Sequence, residues 1–364
     1  MFIQLAITGL LIALFPLAIV CVSSDSNKYR KLIAVTLFLT FDLIVFGAFT
    51  RLTDSGLGCP DWPGCYGQAN PFQAHSEIRA AEALMPTGPV TVMKAWIEMI
   101  HRYLAMCVGV LITAQMVIAW WRRASLRHSP WLATGLFVLV LLQGAFGAWT
   151  VTMKLQPIIV TIHLMLALTL LSLLVWAWRR ETPTQEMNIQ PWLRKLVPAV
   201  FLVLLMQIAL GGWVSTNYAA LACHDYPTCN GEVIPQLDFE HAYVLWRELG
   251  KTASGDYLPF SALVTIQWVH RSFAWIVFVS LGLTALLCRK HVLLKKNSDA
   301  ILAVLAMQFL SGIATVYFSW PLSIAVLHNA GAALLVLLLS MLNYRLRASA
   351  AGTGTQAFSN RSSN

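Results

Sequence analysis

The sequence predicts an all-α polytopic membrane protein. Two four-helix transmembrane bundles form a parallel internal repeat, preceded by one extra N-terminal transmembrane helix. Three observations carry this. Of the 364 residues, 58% are hydrophobic and only 11% are charged, against about a quarter charged in soluble domains. Nine stretches are long and apolar enough to cross a bilayer, which takes about 20 residues at about 1.5 Å each. Four motifs also recur in the same order in the two halves of the chain. The composition excludes a disordered chain, a secreted disulfide scaffold and an ordinary cytosolic enzyme. A net charge of +9 could indicate nucleic acid, but basic residues in membrane proteins set orientation instead.

The nine stretches run 2–22, 31–50, 96–121, 131–152, 157–178, 193–215, 261–288, 298–320 and 322–346. Ten-residue blocks of alternating hydrophobicity do not occur, which excludes a β-barrel. The first stretch starts Met1-Phe2-Ile3-Gln4 with no basic residue, so it is expected to be a retained helix and not a cleaved signal peptide. Basic residues follow the first (Lys28, Arg30, Lys31) and third stretches (Arg122, Arg123, Arg127). Others lie between the fifth and sixth (Arg179, Arg180, Arg194, Lys195) and between the seventh and eighth (Arg289, Lys290, Lys295, Lys296). With Arg345, Arg347 and Arg361 they make 17 of the 25 Lys and Arg on one side. The positive-inside rule makes that side cytoplasmic. The expected setting is the inner (plasma) membrane in contact with lipid, N-terminus outside and C-terminus cytoplasmic. The connectors 51–95, 153–156 and 216–260 and a turn near Trp320-Pro321 then face the periplasm or exterior. The domain organisation is 1–30, extra helix and cytoplasmic loop; 31–180, N-terminal bundle; 181–347, C-terminal bundle; and 348–364, a disordered tail rich in Gly, Ser, Thr and Asn.

The repeat is read from four matches. Cys59-Pro-Asp-Trp-Pro-Gly-Cys65 pairs with Cys223-His-Asp-Tyr-Pro-Thr-Cys229. Glu98-Met-Ile-His101-Arg102 pairs with Gln267-Trp-Val-His270-Arg271. The run Gln143 to Val151 pairs with Gln308 to Val316, and Val160-Thr-Ile-His163 with Ala325-Val-Leu-His328. An even number of helices per half sends both halves into the membrane in the same sense, related by an axis along its normal.

His101, His163, His270 and His328 each fall inside a stretch, roughly 8–14 Å from its outer end by helical rise. A lone membrane histidine most often bonds a neighbouring helix. Four at matched depth, on the second and fourth helix of each half, fit two bis-histidine haem sites built from facing helices. Zinc would want cysteine or carboxylate company, which only Glu98 offers at that depth. Arg102 and Arg271 are costly in the membrane unless paired; haem propionates and snorkelling to head groups serve equally well. Glu98 stands one turn before His101, where the second half has Gln267. Its plain role is a hydrogen bond to histidine or a salt bridge to Arg102; its sharper role is chemistry on a bound haem. The asymmetry makes the N-terminal half catalytic and the C-terminal half the resident haem site. The pairs Cys59-Cys65 and Cys223-Cys229 lie where disulfides survive. The second reads as a staple, and the first leaves open a redox role. Cys21, Cys107 and Cys288 read as inert apolar residues.

Together with the stretch Arg51-Leu-Thr-Asp-Ser-Gly-Leu-Gly-Cys-Pro-Asp-Trp-Pro63, these features resemble the haem A synthase family, in its branch with cysteine-bearing outer loops. The resemblance covers about 31–346. It implies oxidation of the C8 methyl of haem O to a formyl group by two hydroxylations and loss of water. It implies that His101 and His163 hold haem O as substrate, that His270 and His328 hold haem b, and that Glu98 sits beside the reacting porphyrin. Family members usually have eight helices, so the stretch 2–22 is a departure. Haem O synthase is an expected partner, no nucleic acid is, and a homo-oligomer and the electron donor stay open. The competing expectations are a quinol-linked b-type electron-transfer protein and a haem carrier or assembly factor.

Overall fold

The computed structural model describes residues 1–126, 128–182, 185, 187 and 189–359, with side chains described through Ala348. Arg127 and Arg361, both counted on the basic side, lie outside the described residues, as does the end of the tail. Eleven helices occur in this described part: α1 (Phe2–Val22), α2 (Lys28–Leu52), α3 (His75–Leu84), α4 (Val92–Trp121), α5 (Trp131–Thr152), α6 (Pro157–Arg180), α7 (Pro191–Thr216), α8 (Phe239–Ala242), α9 (Phe260–Arg289), α10 (Val292–Tyr317) and α11 (Leu322–Ser359). All but α3 and α8 are long and apolar enough to cross a membrane, with the span of α11 ending at Ala348. The chain is a multi-pass membrane protein. Beyond Ala348 the backbone continues as helix to Ser359, where composition alone predicts disorder.

The helix limits follow from local chemistry. Asn27 caps α2 by accepting from the Arg30 amide, and Thr91 caps α4 by accepting from the Lys94 amide. α6 and α7 open on Pro157 and Pro191, whose missing N–H costs nothing in a first turn. Residues in left-handed conformation end the membrane helices at matched places: Asp54 and Tyr218 after α2 and α7, Lys154 with Leu155 and Ser319 with Trp320 after α5 and α10.

Helices α2, α4, α5 and α6 form one bundle. α2 and α5 each pack against both α4 and α6, so α4 and α6 stand at opposite corners. In the second bundle α7, α9, α10 and α11 take the places of α2, α4, α5 and α6. α6 packs against α11, α6 against α7, and α2 against α11, the pattern a twofold arrangement requires. Equivalent residues also meet directly. Arg51 donates to the Ser215 carbonyl at 2.6 Å, and the Tyr218 hydroxyl donates to Asp54 at 2.7 Å. Both pairs are 164 residues apart in sequence, the offset that also separates Cys59 from Cys223. The axis therefore passes between the ends of α2 and α7. α1 lies outside this symmetry, against α4 and α2.

Candidate functional site

Two disulfide loops cap one face of the bundles. Cys59–Cys65 and Cys223–Cys229 are both bonded, with Cα–Cα distances of 4.9 and 4.7 Å. The loops share one internal design. Asp61 accepts from the amides of Tyr66 (2.6 Å) and Gly67 (2.7 Å), and Asp225 from those of Asn230 and Gly231. Gly67 and Gly231 have positive φ, which lets the turn present its N–H groups inward. An arginine ties each loop to its bundle. Arg102 donates to the carbonyls of Pro63 and Gly64. Arg271 donates to those of Asp225 (2.7 Å) and Thr228 (3.0 Å), while its Nη1 has no partner.

Glu98 sits beneath the first loop and is only 4% exposed. It forms a salt bridge with Arg102 and accepts from the Cys59 amide at 2.8 Å. The salt bridge is the second of the two plain roles open to it from sequence. Gln267, its counterpart, donates to the Ala220 carbonyl at 3.1 Å. One loop is thus held by a buried carboxylate and the other by a neutral amide.

Below the loops lie the four histidines, six to ten residues inside the helix ends Val92, Pro157, Phe260 and Leu322. That is about 9–15 Å along each axis. His101 on α4 and His163 on α6 occupy opposite corners of one bundle, as do His270 on α9 and His328 on α11 of the other. All four are partly buried. Each ring abuts a glycine on a neighbouring helix. A methyl group in place of hydrogen would stand 3.0 Å from His101 at Gly47, 2.9 Å from His270 at Gly211, 3.1 Å from His328 at Gly312 and 3.4 Å from His163 at Gly147. Only glycine gives this room at the tightest three. These glycines lie on α2, α5, α7 and α10, the remaining corners of the bundles.

The donor set fits haem. It offers two imidazoles per bundle, in a polar-poor interior, with Nδ1 of His163 left without a partner. Among the described residues no group of three His, Cys, Asp or Glu could hold another metal. The structure therefore brings together every histidine chosen from sequence, and places Arg102 and Arg271 on the disulfide loops. Sequence reasoning missed the polar residues behind the rings. Gln207 on α7 and Ser311 on α10 contact Nδ1 of His270 and His328 at 3.2 and 2.9 Å. The recurrent Gln-x-x-x-Gly spacing, seen at Gln143, Gln207 and Gln308, was the available signal.

Known proteins resemble the chain over most of its length. The profile of the cytochrome oxidase assembly protein family matches residues 30–340. A protein of Shewanella oneidensis named heme A synthase is 40% identical over 320 residues, 86% of this chain and 96% of its own. Proteins of the same name from Caulobacter vibrioides and Rhizorhabdus wittichii are each 29% identical. They cover 88% and 86% of this chain, and 98% and 92% of their own. The matched region takes in both disulfide loops and all four histidines, and the chain belongs to the cytochrome oxidase assembly protein family.

Proposed function

We propose that this chain is a haem A synthase, an oxidoreductase that converts the C8 methyl of haem O to the formyl group of haem A for a terminal cytochrome oxidase. One observation carries the reading: two matched histidine sites, of which only one has a buried carboxylate a single turn away. An electron carrier needs no such difference. His101 and His163 would hold haem O as substrate, and His270 and His328 would hold haem b. When bound, haem b supplies one-electron transfer. The chain does the rest. α4 and α6 orient the substrate porphyrin between two rings, and the disulfide loop above excludes water. The Glu98 carboxyl lies beside that site, paired with Arg102, where it can accept a proton or favour positive charge on the reacting carbon. Each of the two hydroxylations that turn the methyl into a geminal diol removes two electrons from the carbon and consumes an electron acceptor and an oxygen source from outside the chain. The diol then loses water.

The disulfide face is placed outside and the basic face in the cytoplasm, with the N-terminus outside, as the arginine and lysine distribution supports.

The test is the pigment of the purified protein together with His270→Ala and His328→Ala. Haem A or a hydroxylated haem in the wild-type extract, with haem b and activity lost in both variants, is the expected result. Haem b alone in the wild type identifies an electron-transfer protein or a haem carrier instead. A full bis-histidine spectrum in either variant refutes the assignment of the C-terminal site.

A further inference from the structure

The two halves differ in what lies behind their histidine rings. In the C-terminal half the Ser311 hydroxyl donates to the Gln308 carbonyl at 3.0 Å and lies 2.9 Å from Nδ1 of His328. With its proton engaged, the oxygen acts toward the ring as an acceptor. Nδ1 then carries the hydrogen and Nε2 keeps a free lone pair, the form that binds a metal. On α7 the Gln207 amide lies 3.2 Å from Nδ1 of His270 and donates to the His270 carbonyl at 3.1 Å. One amide nitrogen thus spans the ring and the backbone of His270 and holds the ring against α7.

Neither position is polar in the N-terminal half. Counted from the glycine each ring abuts, Gln207 stands four residues before Gly211, and Leu43 four before Gly47. Ser311 stands one residue before Gly312, and Phe146 one before Gly147. Nδ1 of His163 has no partner. Among the described residues no hydrogen bond reaches a ring nitrogen of His101, whose ring stacks on Phe46 at 6.3 Å. Gln143 and Gln308 are common to both halves. The polar difference behind the rings is thus confined to two positions, and it affects both histidines of one half.

We propose that Gln207 and Ser311 are positioning residues, Ser311 fixing the tautomer of His328 and Gln207 the orientation of His270, so that the C-terminal half retains its haem. Leu43 leaves His101 without a polar partner and Phe146 leaves His163 with Gln143 alone, so that the N-terminal half can release its own. The inference rests on reading the four histidines as haem ligands. Partners of this kind are worth about 10–100-fold in metal affinity. A haem that stays in place gains from that hold, whereas a haem that enters as substrate and leaves as product must do without it.

The experiment uses the full chain in detergent, with haem transfer to excess apomyoglobin and electron paramagnetic resonance of the oxidised protein. Gln207→Leu and Ser311→Ala are each expected to release the C-terminal haem about 10–100 times faster, with shifted low-spin g-values. Ser311→Thr, which keeps the hydroxyl, is expected to restore both readings. Leu43→Gln should slow release from the N-terminal half, and this gain decides the matter should a loss variant fail to fold. Wild-type release rates and g-values in Gln207→Leu and Ser311→Ala overturn the inference while leaving the ligand reading intact. Retention of the haem by His270→Ala overturns the ligand reading itself.

Discussion

Glu98 is tied to the loop through the Arg102 guanidinium and the Cys59 amide. Replacing it by Gln removes the charge but keeps the shape, and Gln267 shows that the same turn of the second bundle accepts an amide. Glu98→Gln is therefore expected to retain the fold and both haem sites. It should lower haem A formation at least about a hundredfold, the lower edge of what a positioned acid or base contributes. Haem O or the hydroxymethyl intermediate should accumulate in the extracted pigment, as measured by chromatography. A variant that makes haem A at the wild-type rate leaves Glu98 as an anchor for the loop alone. The residue type and its spacing to His101 were legible in the sequence because one turn of helix fixes them. Its contact with Cys59, 39 residues away, was not, since nothing local encodes how a loop folds back over a helix.

The disulfide loops show the same division at the scale of elements. Their cysteine pairs and their equivalence could be read from spacing, and all nine membrane helices from hydropathy. The stretches 2–22 and 131–152 match α1 and α5 end to end. Where limits differ, polar residues extend the helix past its apolar run. Thr91 starts α4 four residues early, and α10 takes in Lys295 and Lys296. The short helices α3 and α8 escaped because they bury little: Ile78 and Ala242 are their buried residues. The role of α1 was likewise hidden. Its Leu5 packs with Cys59, Cys65, Ala95 and Met99, so it supports the first loop from the side. The second loop depends on its aspartate. The Thr228 hydroxyl and the amides of Gly231 and Asn230 hold the Asp225 carboxyl below the usual carboxylate range. A lowered folded-state value contributes stability that is present above the unfolded value of about 3.9 and lost as pH falls through the folded one. The amides of Asn230 and Gly231 should thus lose protection below about pH 4 in hydrogen exchange corrected for intrinsic rates. Asp225→Asn should abolish that pH dependence; an unchanged profile in this variant removes Asp225 from the loop's stability.

At the scale of the whole molecule the two bundles are joined through equivalent positions. Arg51 carries most of the join on the disulfide face. It donates to the Ser215 carbonyl, lies 4.2 Å above the Tyr218 ring and pairs with Asp54 at 3.1 Å, while the Tyr218 hydroxyl closes the circuit onto Asp54. None of these residues touches a histidine, so the clasp fixes the setting of the halves and not the ligands within them. Arg51→Ala should therefore keep the haem content of both sites while lowering the unfolding temperature in detergent. The cost is expected to be about 1.5–3 kcal/mol, the range for hydrogen bonds to a charged group, at the low end because Asp54 is exposed. Arg51→Ala and Tyr218→Phe share partners, so their effects should be non-additive by about 0.5 kcal/mol or more in a double-mutant cycle. If electrons pass between the bundles, loosening the clasp also slows haem A formation without loss of either haem, a combination no ligand variant produces. Additive effects with an unchanged unfolding temperature would instead assign the join to the packing of α6 against α11, leaving Arg51 a solvent-screened contact at its edge.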